Sequence, residues 1–193
     1  MTAEPGAVPL TGGVALLERA ISYALGSLRL VTPAALSSPT PCREWALRDL
    51  LAHFRDSLAA LREAADSGQV DLDPPGSAPD DDPVTAVRDA ARHLLAAWSG
   101  AGDGAPVLIA GCPLAAGMVT NAGAIEVAVH GWDVAQACGQ DRQIPPALAD
   151  EMLHVAPMFA DDADRPARFA APVTLPYAAS PGDRLVAFLG RRP

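Results

Sequence analysis

Three side chains in this 193-residue chain could together hold a divalent metal ion. Glu126 and His130 are separated by i, i+4 spacing, which places both side chains on one side of a helix. His53 belongs to a second helical segment, where small neighbouring residues leave room beside an imidazole. Two histidines and one carboxylate leave a coordination position open for water or substrate, as in catalytic metal sites. The spacing therefore predicts a metal centre formed by His53, Glu126 and His130.

A hydrogen-bonded network inside the core is the alternative interpretation of these residues. The segment that carries Glu126 and His130 is apolar on nearly every side, which is typical of a buried helix. A buried carboxylate is unfavourable unless it is paired or bound to a metal. Asp133, one turn beyond His130, either orients that histidine from behind or pairs locally on the surface. The residues alone leave both alternatives open.

Four long helical segments must position these side chains. Apolar residues recur at helical spacing over about residues 13–31, 44–65, 83–99 and 119–137, with Pro, Gly and polar runs between them. A shorter helix begins at Pro146, and residues 107–118 are expected to be extended, with one or two short strands. The tail combines a strand-like PVTLP with a short amphipathic helix. The pattern predicts a mainly all-α fold, a four-helix bundle with a small strand and helix extension.

Length, charge and cysteine content limit the class of protein. We expect one domain over residues 1–193, with a flexible lead-in over about 1–12 and a packed extension over about 160–193. The chain has 14 basic and 23 acidic residues, a net charge of −9, so nucleic acids and anionic membranes are not expected as partners. Three cysteines without a CxxC pair, and an N-terminus without a signal-peptide pattern, predict a cytoplasmic protein.

Two motifs resemble a known family. SSPTPCREWALRDLLAHF (37–54) and IEVAVHGWDVAQACG (125–139) are similar to the metal-binding proteins of the DinB-like superfamily. The resemblance is strongest to the actinobacterial branch related to the N-terminal domain of mycothiol-dependent maleylpyruvate isomerase, and the tail RLVAFLGRRP (184–193) fits that branch as well. It implies an antiparallel four-helix bundle with a divalent metal near one end. The ligand positions of the family fall on His53, Glu126 and His130.

The resemblance also implies a chemistry and a set of partners. Relatives bind a low-molecular-weight thiol such as mycothiol as thiolate at the open metal position, and then add or transfer it to an electrophile. Zinc is the metal that the resemblance favours, although nickel, iron or manganese would suit the same ligands. The expected partner is a small-molecule substrate, and a homodimer through helix faces is left open.

The expected function is therefore metal-dependent thiol transfer or addition to a small electrophilic metabolite, with Glu126 assigned to catalysis. Two alternatives stay open from the sequence. One is a thiol-independent hydrolase, isomerase or cyclase of a specialised metabolite that uses metal-bound water and would lose its activity in Glu126→Gln. The other is a non-catalytic protein that binds a metal or a small molecule.

Overall fold

Six α-helices account for most of the residues that the structure describes. The structure is a computed structural model that describes residues 12–42, 45–70, 81–100, 105–160, 165 and 169–193. Its helices are α1 (Gly13–Ser27), α2 (Leu47–Ser67), α3 (Pro83–Gly100), α4 (Ala116–Ala137), α5 (Pro146–Val155) and α6 (Pro181–Phe188). The mainly all-α class and the four long helices predicted from periodicity are confirmed. Residues 1–11 of the predicted lead-in lie outside the described residues.

Several helix ends differ from the periodicity, and α4, for example, begins at Ala116 instead of near residue 119. Helix α2 begins later than the predicted start near residue 44, because the Asp49 carboxylate accepts a hydrogen bond from the Ala46 backbone N–H at 3.1 Å and caps the first turn. Residues 43 and 44 lie outside the described part of the chain. Helix α1 ends at Ser27, and the rest of its predicted length continues as a tighter 3₁₀ turn over Leu28–Leu30.

Helix α4 is the central element of the packing. It contacts α1, α2 and α5, and 15 of its 22 residues are buried. Burial on most sides explains why many of its polar residues need partners within the protein. Among the described residues no helix, α4 included, is both long and apolar enough to span a bilayer.

The four long helices form two parallel pairs. Two contacts show that α1 runs parallel to α4. Gly13 lies against Thr120 near the starts of both helices, and Ala24 lies against Gly131 further along. At Gly131 the two backbones are so close that an added Cβ would lie 2.9 Å from the Cα of Ala24. Helix α2 is antiparallel to α4, and Leu61 packs on Gly123 at this contact.

The second parallel pair is α2 and α3, which end beside each other. The Trp98 indole N–H donates a hydrogen bond to the Leu61 carbonyl at 3.1 Å, and Phe54 lies near Val87 and Ala91 earlier on α3. The expected antiparallel arrangement therefore holds between the two pairs and not within them. The sheet is consistent with this course, since a strand after α2 pairs in parallel with one after α3, and parallel strands need a crossover between them.

This sheet has three short strands at one end of the bundle. They are β1 (Gln69–Val70), β2 (Val107–Ile109) and β3 (Cys112–Leu114), in the order β1-β2-β3. Strand β2 pairs antiparallel with β3 through a tight turn, where Ala110 and Gly111 have φ values of 49° and 79°. The expectation of one or two short strands within residues 107–118 is confirmed by β2 and β3, whereas residues 116–118 already belong to α4. Strand β1 was not predicted, because two residues carry no periodicity.

The prediction of a strand at PVTLP in the tail is wrong. Residues 172–176 have no strand partner among the described residues. The Val173 N–H donates instead to the Ala187 carbonyl of α6 at 2.9 Å, and Pro172 and Pro176 have no N–H to donate to a sheet. Helix α6 packs on α5 with Leu185 and Val186 fully buried, so the tail docks through its helix.

Candidate metal centre

Helices α2 and α4 bring His53, Glu126 and His130 together. The Oε1 of Glu126 lies 2.9 Å from the Nε2 of His130 and 3.3 Å from the Nε2 of His53. The two imidazole rings meet edge to face, with their centroids 5.1 Å apart. One ligand atom from each residue lies within 4.8 Å of the other two. The antiparallel contact of the two helices thus places all three predicted ligands at one point.

The site is open on the side of His53 and Glu126 and closed on the side of His130. The side chains of His53 and Glu126 are 41% and 39% exposed, whereas that of His130 is 5% exposed. Three donors on one side and solvent on the other leave room for a small exogenous ligand. The arrangement is therefore accessible, unlike a network sealed within a core.

Ser57 is a site residue that the sequence reasoning treated only as a small neighbour. Its hydroxyl donates a hydrogen bond to the Oε1 of Glu126 at 3.3 Å and lies 3.4 Å from the Nε2 of His53. The signal was present in the spacing, because Ser57 follows His53 by one helical turn and shares its face. Ser57 fixes the Glu126 carboxylate from the α2 side.

Trp45 forms one wall of the opening. Its ring centroid lies 4.8 Å from that of His53, and the residue is 37% exposed. The other two tryptophans, Trp98 and Trp132, are buried. The family motif PTPC-x-x-W contains Trp45, but its position beside the site depends on how the chain enters α2.

Asp133 lies behind His130, on the side away from Glu126. Its carboxylate is fully buried, and its Oδ2 lies 3.2 Å from the Nδ1 of His130. The Cys42 thiol donates a hydrogen bond to the same oxygen at 3.2 Å. Of the two interpretations of Asp133, the buried geometry matches orientation of the histidine and excludes a surface pair.

Arg191, near the end of the chain, also contacts Asp133. Its Nη2 donates to the Oδ2 of Asp133 at 3.1 Å, and its Nε donates to the Oδ1 at 3.4 Å. Arg191 lies in the tail RLVAFLGRRP that fits the family branch, but neither that motif nor its spacing indicates a contact with α4. The Cys42 thiol belongs to the same polar cluster through its hydrogen bond to Asp133.

Neighbouring groups of opposite charge shift the pKa values of the site residues toward their charged forms. Burial raises the pKa of Glu126, but His130 and His53 outweigh it and hold this pKa well below its usual range. Burial also raises the pKa of Asp133, but His130 and Arg191 keep it below the ordinary value. Burial lowers the pKa of His130, whereas Glu126 and Asp133 raise it well above 6.5. Both carboxylates stay ionised at neutral pH, and a metal would compete with a proton for His130.

A second group of possible ligand atoms fits a cation less well. Cys42, His130 and Asp133 also place one ligand atom each within 4.8 Å of the others. The Arg191 guanidinium, however, bonds Asp133 and lies 3.5 Å from the Cys42 sulfur, so a positive charge already neutralises this cluster. The geometry therefore favours His53, Glu126 and His130 as the metal ligands.

Comparisons with known proteins show the family to which this chain is related. Residues 17–135 match the family model described as the mycothiol maleylpyruvate isomerase N-terminal domain. An uncharacterised protein from two strains of Mycobacterium tuberculosis (CDC 1551 / Oshkosh and ATCC 25618 / H37Rv) is 32% identical over 161 residues, which cover 81% of this chain and 85% of the relative. The family model's span, residues 17–135, includes the three candidate ligands and Asp133 but ends before Arg191.

A solved structure shares the fold. The crystal structure of the mycothiol-dependent maleylpyruvate isomerase superposes with a TM-score of 0.58 and 20% sequence identity, over 74% of this chain and 67% of that chain. At this identity the similarity concerns the fold. It supports the helical architecture expected from the two motifs.

Proposed function

Because the chain belongs to the family of the mycothiol maleylpyruvate isomerase N-terminal domain, we propose that it is a divalent-metal-dependent enzyme of thiol chemistry. The proposed reaction transfers or adds a low-molecular-weight thiol of the mycothiol type to a small electrophilic metabolite. The observation that carries the proposal is the convergence of His53, Glu126 and His130 within 4.8 Å at an opening to solvent.

The donor set fits a divalent metal. Two imidazole nitrogens and one carboxylate oxygen are ligands that zinc accepts, and the same set suits nickel, iron and manganese. The Nδ1 of His130 faces Asp133, which leaves its Nε2 directed at Glu126. Metal-binding histidines in proteins usually have such a carboxylate behind them.

The chemistry at the site can be divided between the metal and the chain. A bound divalent metal supplies Lewis acidity, which lowers the pKa of a coordinated thiol or water. Of the two carboxylates, Asp133 is fully buried and Glu126 is 39% exposed, so Glu126 is the one that an incoming thiol can reach. We assign Glu126 the proton that the thiol loses as sulfur bonds to the electrophilic carbon. In an addition this proton returns to the adduct, and in a transfer it leaves with the group whose bond to that carbon breaks.

Two further side chains shape the site for this role. Ser57 holds the Oε1 of Glu126 from the α2 side, which reduces the freedom of a half-exposed carboxylate. Trp45 offers an apolar surface next to His53, on which the carbon skeleton of a small substrate can pack. The electrophile would then lie beside the open side of the ligand trio.

The first experiment measures metal content. Elemental analysis by mass spectrometry would compare untagged wild type with His53→Ala and His130→Ala, and with His93→Ala as the control on the exposed face of α3. We expect about one transition metal per chain in wild type and in the control, lost in both site variants. Wild type that stays metal-free after incubation with zinc would contradict the proposal.

The second experiment separates the candidate activities. Metal-loaded protein would be mixed with a thiol and a model electrophile such as monochlorobimane, and thiol consumption would be followed. Thiol consumption above the uncatalysed rate, lost in Glu126→Gln, supports the proposed reaction. Activity on a substrate without any thiol would indicate the hydrolase, isomerase or cyclase alternative. A ligand that binds and is recovered unchanged would indicate a binding protein.

A further inference from the structure

We infer that the C-terminal tail is part of the metal centre, and that Arg191 is a positioning residue that holds His130 in place through Asp133. The inference rests on the proposed metal site and adds a residue that lies outside the family match over residues 17–135. Arg191 does not touch the three ligands. It acts on the one carboxylate that stands behind them.

The contact between Arg191 and Asp133 is two-pronged and largely shielded from water. Two guanidinium nitrogens donate to the two carboxylate oxygens at 3.1 and 3.4 Å. The Arg191 side chain is 16% exposed, and that of Asp133 is fully buried. A planar guanidinium that bonds both oxygens fixes the orientation of a carboxylate as well as its charge.

The same carboxylate oxygen connects the tail to the metal ligand. The Oδ2 of Asp133 accepts from the Nη2 of Arg191 at 3.1 Å and lies 3.2 Å from the Nδ1 of His130. On the opposite edge of the ring, the Nε2 of His130 faces Glu126 at 2.9 Å. Any rotation of the Asp133 carboxylate therefore changes the direction in which the Nε2 points.

The tail itself is held in a defined conformation. The Arg191 backbone N–H donates to the Val186 carbonyl of α6 at 2.9 Å, and its Nη1 donates to the Leu189 carbonyl at 3.2 Å. Gly190 makes the turn with φ of 84°, and an added Cβ would lie 2.7 Å from the Ala170 carbonyl oxygen. Helix α6 thus presents Arg191 to Asp133 from a docked position.

An effect of Arg191 through its charge and an effect through positioning predict opposite changes in metal affinity when Arg191 is removed. The formal charges of Arg191 and Asp133 cancel, so removal of the guanidinium leaves an extra negative charge near the metal. Charge alone would then strengthen cation binding. If Arg191 acts by positioning, metal affinity falls despite that charge, because the carboxylate that orients His130 is no longer held.

The test compares Arg191→Met with wild type and with Arg192→Met, the matched change at the exposed neighbour. Zinc affinity would be measured by competition with a chelator, and the visible absorption of cobalt-loaded protein would report ligand geometry. We expect Arg191→Met to bind zinc about 10- to 100-fold more weakly and to change the cobalt spectrum. We expect Arg192→Met to match wild type in both measurements.

Two further variants keep the inference testable if Arg191→Met folds poorly. Arg191→Lys retains the charge without the two-pronged contact, so we expect an intermediate affinity. In an Asp133→Asn background, Arg191→Met should have little additional effect, because the carboxylate through which it acts is gone. Equal or tighter zinc binding by both Arg191 variants would overturn the inference.

Failure of the inference can be told apart from failure of the proposed function. If wild type and the Arg191 variants bind zinc equally, the metal site stands and the positioning role is wrong. If zinc binding depends on Arg191 but no thiol is consumed, the positioning role stands and the proposed reaction is wrong. A wild-type protein that binds no metal would overturn both.

Discussion

The Nδ1 of His130 lies 3.2 Å from the buried Oδ2 of Asp133, while the Nε2 of the same ring faces the candidate metal position. Both ring nitrogens therefore have an assigned direction before any ligand arrives. An imidazole that is fixed in this way binds a metal without first losing rotational freedom. This relationship leads directly to the first prediction.

Asp133→Asn should weaken metal binding about 10- to 100-fold, because a neutral amide orients His130 less strongly than a carboxylate does. The variant should also unfold at a lower temperature, since Arg191 loses the ionic partner of a largely buried pair. Chelator competition and thermal unfolding would measure the two effects. Asp150→Asn, on the exposed side of α5, is the control, and a similar loss of affinity there would contradict a specific role.

Metal binding should change the fluorescence of Trp45. Its ring lies 4.8 Å from that of His53 and is the exposed one of the three tryptophans. Cobalt or nickel ions quench nearby indoles, so titration should lower the emission to a saturating level. We expect most of the quenching to disappear in Trp45→Phe and to persist in Trp98→Phe. Undiminished quenching in Trp45→Phe would place the metal elsewhere.

Ser57→Ala should reduce metal affinity modestly without unfolding the protein. The change removes the hydrogen bond at 3.3 Å to the Oε1 of Glu126, and a hydrogen bond of this kind contributes about 0.5–1.5 kcal/mol. We expect up to a tenfold weaker affinity, or about 1.4 kcal/mol at most. Ser99→Ala, near the end of α3, removes a hydroxyl that donates to the Leu95 carbonyl of its own helix and should leave affinity unchanged. A larger loss than that in Asp133→Asn would mean that Ser57 is itself a ligand.

Gly131→Ala should destabilise the protein by about 1–3 kcal/mol, as other overpacked cores are destabilised. The new Cβ would meet the Ala24 Cα at 2.9 Å, and backbone cannot move aside as a flexible side chain does. Gly100→Ala is the matched change, because nothing lies within 4 Å of an added Cβ at that end of α3. Urea unfolding should show the loss at Gly131 and no loss at Gly100. Equal stability of both variants would contradict the close approach of α1 and α4.

Tyr23 should make stability decline at high pH. Burial raises the pKa of its phenol to about 12, whereas an unfolded tyrosine ionises near pH ~10. The neutral phenol is favoured in the folded state, so its contribution is fully present below pH ~10 and is lost between about pH 10 and 12. At neutral pH, Tyr23→Phe should be about 1 kcal/mol less stable, since the phenol donates to the Arg142 carbonyl at 2.6 Å.

The measurement is urea unfolding of both proteins from pH 7 to 12. The stability difference between wild type and Tyr23→Phe should shrink above pH ~10. The phenol of wild type then ionises when the protein unfolds, which favours the unfolded state, and Tyr23→Phe has no such group. Absorbance at 295 nm should show the delayed ionisation directly. Parallel stability curves for the two proteins up to pH 12 would show that the phenol is not protected.

The sequence alone predicted the parts of the protein that depend on local geometry. Glu126 and His130 share a face because any α-helix places i and i+4 side chains together. Helices α1 to α5 follow from apolar periodicity, which records the side that each helix must bury. The pairing of His53 with that face was predictable once two helices were expected to pack against each other.

Only the tertiary structure decided which distant groups meet. Arg191 and Asp133 are 58 residues apart, and the contact depends on how α6 docks, which no periodicity records. The parallel course of α2 and α3 accompanies the pairing of β1 with β2, and a strand as short as Gln69–Val70 leaves no pattern in the sequence. The PVTLP segment has strand-like residues, but a strand needs a neighbour to accept its hydrogen bonds, and α6 takes that place. Local conformational preference can be predicted from the residues of each segment, whereas the partner of each surface depends on how the helices pack.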